Sequence, residues 1–327
     1  MFRSTARRTA QAALGLTAAL ALAACGNPSD GGTVEVAATK GTSTKINLSP
    51  EQRRITTDEV ESIAARVPRE IRDRGTLEIV NSSGSAAPLN FYANDNKTVI
   101  GVEVDIAHLV AGVLGLELRV NTVSWENVFV GLDSGKYDVG FSNITDTEER
   151  KQKYDFASYR EDNLGFEAKK GSGLKVTGPE DVAGRTVAVG SGTNQEKLLI
   201  EWSEEAVKAG LKPVDIKYYQ SDSDTHLALQ SGRIDLYLGP HPTAAYHAAI
   251  SGKTEVVGVH SGAGTTLQGL IAATTKKGSG LAESLAEALN ETISNGTYAK
   301  VLARWGLSAE AVPTSEVNPP GLPLTNK

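Results

Sequence analysis

The chain has 327 residues, of which 40% are hydrophobic, 6% aromatic and 22% charged. This length and apolar content suffice for a buried core, predict about two domains and exclude a chain that is disordered throughout. The formal net charge is −6 at pH 7. An acidic body argues against nucleic acid as a partner, because phosphate binding requires clustered Lys and Arg.

Residues 1–24 differ in composition from the rest of the chain. They carry three arginines and no acid, followed by an alanine-rich apolar run that is too short to span a bilayer and ends in small residues, as a signal peptide does. The sequence Leu22-Ala23-Ala24-Cys25 resembles the lipobox of bacterial lipoproteins, and Cys25 is the only cysteine. That resemblance implies cleavage before Cys25 and attachment of lipid to its thiol. A plain secretory signal is the alternative.

Residues 25–56 are rich in Gly, Ser, Thr, Asn and Pro, which predicts a flexible tether. A helix is predicted over 57–73, with Thr57 as its N-cap and a break or kink at Pro68. After it, strands alternate with helices, which predicts parallel α/β sheets. The first set has strands 76–83, 116–123 and 137–144 and helices 102–115 and 124–135.

A second set of the same kind follows. It has strands 185–190, 214–220 and 233–239 and helices 194–210 and 224–232. A further strand at 269–275, two helices within 279–306 and an irregular tail complete the chain. Glycines and an amphipathic helix follow strand 185–190. Such a turn can hold an anion on the free N–H groups of the helix start.

A nucleotide phosphate is a poor candidate for that anion. A dinucleotide-binding turn would need a third glycine where Gln195 stands, and no P-loop motif is present. The five histidines are scattered, without metal-ligand spacing. The sequence therefore predicts neither a cofactor nor a metal site.

Five phrases that occur in order resemble one family: GVEVDIAHLVAGVLG, LDSGKYDVGFSNITDTEERKQKYDFASY, VAGRTVAVGSGTNQEK, LQSGRIDLYLG and NGTYAKVLARWG. Together they resemble the family 3 type of extracellular solute-binding proteins, which serve ABC importers of polar amino acids. The resemblance implies a periplasmic-binding-protein type II-like fold, with two α/β lobes joined by a two-strand hinge. Lobe 1 would comprise 57–165 and 263–310, lobe 2 would comprise 166–262, and 311–327 would be a C-terminal tail.

The resemblance also implies a site for a carboxylate. Arg150 would clamp the α-carboxylate of the ligand, since a guanidinium matches a carboxylate with two parallel hydrogen bonds. Backbone N–H groups of the turn Gly192-Thr193-Asn194 would hold the same carboxylate from the other lobe. A surface arginine paired with Glu148 or Glu149 is the structural alternative for Arg150.

Further contacts are expected around this clamp. Asn143 and Thr145 follow a strand, where the family places polar ligand contacts, although turn chemistry alone also favours these residues. Trp125 would line the pocket, and Phe91 belongs to a loop beneath the ligand. Ordinary core packing is the alternative for Trp125.

The sequence departs from the family at Pro240. Relatives that bind free amino acids place there an aspartate that accepts the α-ammonium group. Either another acceptor serves, with Glu126, Asp146 and His241 as candidates, or the ligand has no free α-amino group.

The predicted protein is a non-enzymatic, lipid-anchored receptor on the outer face of the cell membrane. Its partners would be an amino acid or related carboxylate and an ABC permease, and a monomer is expected. A cyclohexadienyl-type dehydratase on the same fold, using Glu126 or Asp146 as the acid, is one alternative. A solute-sensing surface lipoprotein without a transporter is another.

Overall fold

The computed structural model describes residues 33–37, 43–82, 85–219 and 221–324. The predicted signal peptide and Cys25 lie outside these ranges. Among the described residues, no helix has the length and apolar content required to cross a bilayer.

The strands of the described residues are, in chain order, β1 Thr33–Ala37, β2 Ser43–Asn47, β3 Thr76–Ser82, β4 Ser85–Ala86, β5 Asn90–Tyr92, β6 Val99–Ile100, β7 Glu117–Val123, β8 Val139–Gly140, β9 Tyr154–Lys169, β10 Thr186–Val189, β11 Asp215–Lys217, β12 Leu236–Pro240, β13 Thr254–Ser261 and β14 Gly269–Lys276. The helices are α1 Glu61–Ala64, α2 Arg69–Arg74, α3 Val102–Val113, α4 Trp125–Asp133, α5 Pro179–Val182, α6 Asn194–Lys208, α7 Asp222–Ser231, α8 His241–Ser251, α9 Ala282–Ser294 and α10 Thr297–Arg304. Short 3-10 helices lie at Arg150–Gln152 and Ser308–Glu310.

One long strand, β9, joins the two halves of the main sheet, whose order is β11-β10-β12-β9-β14-β8-β3-β7. Residues 154–162 of β9 pair antiparallel with β14, and residues 163–169 pair antiparallel with β13 and β12. We call the part built on β3, β7, β8 and β14 the first lobe. The part built on β10, β11, β12 and β13 is the second lobe. The pairs β3–β7, β3–β8, β10–β11 and β10–β12 are parallel, as the alternating pattern predicts, whereas β8 pairs antiparallel with β14.

Each lobe has its own apolar core. In the first lobe, helix α3 is almost entirely buried and packs with α9 and α10 against β3; Ile106, Leu285 and Leu302 are each 0% exposed. A separate cluster fills the second lobe between β9, β10, β12 and α6. Burial of these side chains stabilises each lobe, at roughly 25 cal/mol per Å² of apolar area.

Two features before residue 75 differ from the expected elements. Residues 43–56 pack on the first lobe rather than forming a tether. Ile46 is 1% exposed, and Arg54 Nε donates to Asp105 Oδ1 over 3.1 Å. The apolar residues of β2 and the segment after it provide the contacts that a tether lacks. The helix expected over 57–73 breaks at Pro68 into α1 and α2, as predicted, but α1 begins at Glu61 with Val60 and not Thr57 as its N-cap.

The strands of the two predicted sets belong to one continuous sheet, and some of their bounds differ from those that the sequence periodicity predicted. The strand expected over 137–144 is reduced to β8, whereas β9 and β13 lie where the periodicity predicted no strand and only the two-strand hinge implied by the family resemblance placed crossings, near residues 165 and 262. His241, a candidate ammonium acceptor in the sequence analysis, is the first residue of helix α8. Proline within the first turn of a helix is well tolerated, because the N–H groups there have no partner within the helix.

Candidate functional site

A cavity of about 290 Å³ lies between the two lobes. Its walls come from the carboxyl ends of β3, β10 and β12, the loop after β8, and the first turns of α4, α6 and α8. Carboxyl ends of parallel strands are the usual ligand-binding edge of an open α/β sheet. The two lobes present such edges to one another.

Arg150 lies beside this cavity and contacts both lobes. Its Nη1 donates to Thr145 O over 2.9 Å, and its Nη2 approaches Gly192 O of the second lobe at 3.4 Å. The guanidinium carbon stands 5.5 Å from the Trp125 ring centroid and 5.2 Å from that of Phe129. Among the described residues no carboxylate forms an ion pair with Arg150, so its charge is available to an anion.

Burial lowers the pKa of Arg150 to about 10, while the nearby Asp162 carboxylate opposes that change. The guanidinium therefore remains charged at neutral pH. The structural alternative, a surface pair with Glu148 or Glu149, is not formed, because Glu148 pairs with Lys151 at 2.8 Å.

The first turn of α6 faces Arg150 across the lobes. Thr193 is the N-cap, with its side chain accepting from the Glu196 N–H, and Gly192 N–H donates to the Glu196 carboxylate. Gly192 has φ +70°, a conformation that favours glycine in this turn. The N–H groups of Thr193 and Asn194 have no partner among the described residues, as at most helix starts. The turn can therefore accept an anion through two groups rather than the three expected.

Trp125 also contacts this turn. Its indole Nε1 donates to Gly192 O over 3.3 Å, and its ring lies edge-on to Phe129 at 5.0 Å. Trp125, Asn143, Thr193 and Asn194 line the cavity, whereas Arg150, Thr145 and Gly192 lie at its border.

A buried carboxylate, Asp162, connects residues of both lobes at the crossing strand. It is 1% exposed, and its Oδ2 accepts from Thr145 Oγ1 over 2.8 Å and from Asn194 Nδ2 over 3.0 Å. Burial raises the pKa of Asp162 to about 6, while the hydrogen bond from Thr145 acts in the opposite direction. Thr145 thus positions Arg150 through its carbonyl and Asp162 through its hydroxyl.

Asn143 is likewise held by protein groups. Its φ is +50°, its Oδ1 accepts from Arg160 Nη2, and its N–H donates to Glu103 Oε2 over 3.2 Å. Arg160 is itself buried between the carboxylates of Glu103 and Glu310. This network fixes the floor of the cavity on the first-lobe side.

Two other predicted site residues, Phe91 and His241, lie away from the cavity. Phe91 packs in the first-lobe core, 6.0 Å from the Trp305 ring and 6.3 Å from that of Tyr246. His241 lines a separate cavity of about 380 Å³, with its Nδ1 3.8 Å from Glu310 Oε1. Successive side chains of a strand point to opposite faces. The neighbour of Phe91, Asn90, therefore reaches the inter-lobe cavity instead.

Three polar side chains that the sequence analysis did not select line the cavity with buried atoms that have no partner. These atoms are Asn90 Oδ1, Gln195 Oε1 and Thr243 Oγ1, on residues 1%, 6% and 5% exposed. A buried polar atom without a partner is unfavourable. A bound molecule that donates hydrogen bonds would satisfy all three. Gln195 was visible in the sequence as the residue that excludes a dinucleotide turn.

The expected acids occupy different surroundings. Glu126 lines the cavity and is exposed, and Asp222 lines it as well. Asp146 does not line the cavity and lies 3.3 Å from Lys151 Nζ. Burial raises the pKa of Asp146 to about 7, with Lys151 opposing that change. The structure thus does not bring Glu126 and Asp146 together in one site.

Comparison with known proteins identifies the fold of this two-lobed chain and the family to which it belongs. An ancestral arginine-binding protein, solved with arginine bound, is similar in fold with a TM-score of 0.61. It is 28% identical over 71% of this chain and 98% of its own. The likeness confirms the predicted periplasmic-binding-protein type II-like fold.

Residues 79–308 match the model of the bacterial extracellular solute-binding proteins, family 3, and the chain belongs to that family. The L-cystine-binding protein TcyJ of Escherichia coli is 34% identical over 169 residues, 51% of this chain and 60% of TcyJ. The arginine-binding protein ArgT of Corynebacterium glutamicum is 28% identical over 88% of this chain and 94% of ArgT. The chain therefore aligns with less than two thirds of TcyJ and with nearly all of ArgT.

Proposed function

We propose that this protein captures an amino acid, or a closely related carboxylate, between its two lobes and delivers it to an ABC importer. Family membership supports a solute-binding role, and relatives similar in sequence are named for cystine and arginine. The observation that carries the proposal is the contact of Arg150 with the turn before α6 at the border of the cavity.

The carboxylate would lie between these two groups. Arg150 offers a charged fork with no carboxylate partner among the described residues, and α6 offers partial positive charge and two free N–H groups. In this structure, the Arg150 guanidinium and the Trp125 indole both donate to Gly192 O, over 3.4 and 3.3 Å. A ligand carboxylate is a stronger acceptor than this carbonyl and would take over the guanidinium.

The amino group would be held by neutral acceptors. Pro240 lines the cavity at the position where the family resemblance implied an aspartate, and it offers no carboxylate. Asn90, Gln195 and Thr243 supply three unpartnered oxygen atoms around the same space, and Glu126 adds negative charge at its exposed side. We infer that this set replaces the single carboxylate and that a free ammonium group is accepted. Asp146 and His241 lie outside the cavity and take no part.

Membrane attachment and delivery complete the proposal. Lipidation at Cys25, an extracytoplasmic location, a permease partner and a monomeric state rest on the sequence motif and on the family. Cys25 lies outside the described residues.

A thermal-shift panel on the purified chain tests the ligand class. It compares the L-amino acids and L-cystine with N-acetylated and amine-free counterparts. A bound ligand at one hundred times its dissociation constant should stabilise the protein by about 2.7 kcal/mol. The proposal requires a shift with at least one free amino acid and a smaller one with its amine-free counterpart. Shifts confined to amine-free acids would refute the ammonium assignment, and no shift with any carboxylate would refute the proposed function.

A further inference from the structure

Two histidines and a glutamate meet in the second lobe, outside the solute cavity. Glu167 lies on β9 and is 0% exposed, His226 lies on α7 and His247 on α8. His247 Nδ1 stands 2.5 Å from Glu167 Oε1, and His226 Nε2 stands 3.7 Å from Glu167 Oε2. The two imidazole rings are stacked, with centroids 3.4 Å apart and planes 15° from parallel.

The cluster contains two buried atoms that the protein does not satisfy. Glu167 Oε2 and His226 Nε2 have no hydrogen-bond partner within the described part of the chain. They face one another at a distance too long for a hydrogen bond. The ion pairs of Glu167 among the described residues are with these two histidines and not with any Lys or Arg. A buried carboxylate that lacks a Lys or Arg partner is stabilised by a cation, which here would lie between Glu167 Oε2 and His226 Nε2.

The geometry allows one cation to contact all three side chains. One ligand atom from each residue lies within 4.8 Å of the other two. Ligand atoms around a tetrahedral ion with bonds of about 2.0–2.1 Å lie roughly 3.4 Å apart. The nitrogen lone pairs of the two stacked rings lie in nearly parallel planes, so at least one ring must turn out of the stack for both nitrogens to bind one ion.

Two imidazoles and one carboxylate are a ligand set typical of Zn²⁺, with a fourth position open to water. The His226 and His247 side chains are 15% and 14% exposed, so an ion can reach the cluster from solvent. We propose that Glu167, His226 and His247 form a binding site for a divalent transition-metal ion of the Zn²⁺ type.

The site would connect three elements behind the cavity wall. The His226 ring lies edge-on to Tyr237 at 5.8 Å, and Tyr237 lines the solute cavity. Metal binding joins α7 and α8 to β9, and α8 also carries Thr243. The expected consequence is a more stable second lobe, whether or not solute is bound.

Zn²⁺ titration of the full chain tests the proposal, with Cys25→Ser in every sample so that its thiol does not bind metal. A chromophoric chelator competes for the ion, and metal per chain is counted after dialysis. We expect one Zn²⁺ per chain and a rise in melting temperature. Co²⁺ should give the intense visible absorption of a tetrahedral site.

His226→Ala and His247→Ala should each weaken binding by at least about 100-fold, because losing even an outer-shell partner costs 10–100-fold. Glu167→Gln, which keeps the volume of the buried side chain, should do the same. His260→Gln is the matched control, since His260 lies in the same lobe and should leave binding unchanged. If an alanine variant fails to fold, His226→Gln and His247→Gln take its place.

Two results would overturn the proposal. One is a Cys25→Ser chain, with the three cluster residues intact, that binds less than one equivalent of Zn²⁺ at micromolar concentration. The other is full-affinity binding that persists in the His226→Ala/His247→Ala double variant.

Discussion

Removal of the Arg150 guanidinium should abolish most of the affinity for a carboxylate ligand without unfolding the protein. Arg150→Met keeps an unbranched apolar stem against Trp125 and Phe129, while the charge and the fork of donors are lost. Truncating one partner of a buried, hydrogen-bonded charge pair costs about 2–5 kcal/mol, which is roughly a 30-fold to few-thousand-fold rise in Kd.

The stability of the unliganded protein should change much less. The Arg150 side chain makes one hydrogen bond of normal length, to Thr145 O, and a long one to Gly192 O. One such bond contributes about 1 kcal/mol net. Burial that lowers the pKa of Arg150 partly offsets this contribution, because a desolvated cation is itself unfavourable.

Isothermal titration with the strongest free amino acid from the thermal-shift panel measures the effect. Arg150→Lys keeps the charge without the fork and should fall between wild type and Arg150→Met. Arg119→Met is the control, because Arg119 is an exposed residue of β7 that pairs with Glu117 at 3.3 Å, and it should bind as wild type does. An Arg150→Met protein that folds and binds within threefold of wild type would refute the carboxylate clamp.

Three further predictions concern individual side chains. Asp162→Asn should flatten the pH dependence of stability. The pKa of Asp162 is about 6 in the folded state and 3.8 in the unfolded state, so the folded protein holds this proton more tightly. As pH rises from 3.8 to 6, the wild type therefore loses roughly 3 kcal/mol of stability relative to Asp162→Asn. Urea denaturation from pH 4 to 7 measures this, and parallel profiles would contradict it. Thr243→Val should weaken binding of a free amino acid roughly tenfold, the value of one lost hydrogen bond to a charged group, but leave its amine-free counterpart unaffected. Equal weakening of both ligands in titrations would exclude Thr243 as an amine acceptor. Trp125→Phe should remove most of the ligand-induced change in tryptophan fluorescence, since Trp202 and Trp305 do not line the cavity; an unchanged signal would place the ligand elsewhere.

The periodicity of the sequence was sufficient for the elements that alternate locally. Strands β3, β7 and β10 and helices α3 and α6 fall close to their predicted bounds, because each carries its own apolar pattern and turn residues. Strand β9 has no such pattern. Its sixteen residues cross from one lobe to the other and include the buried Arg160, Asp162 and Glu167, whose partners come from distant segments.

The same limit applies to the candidate site. Arg150 and the turn before α6 were identified through the family motif, and the structure brings them together. Asn90 was missed in favour of Phe91, because strand register decides which of two neighbours faces the cavity. His226 and His247 are separated along the chain and lie on different helices. Their stacking arises only from the packing of α7 and α8 on β9.

A crystal structure with the strongest amino acid from the panel would test the central claim most directly. The account predicts the carboxylate of that ligand within hydrogen-bond distance of the Arg150 guanidinium and of the Thr193 or Asn194 N–H. Its ammonium group should lie among Asn90, Gln195 and Thr243. A ligand bound outside the inter-lobe cavity, or one whose carboxylate does not touch Arg150, would contradict the account.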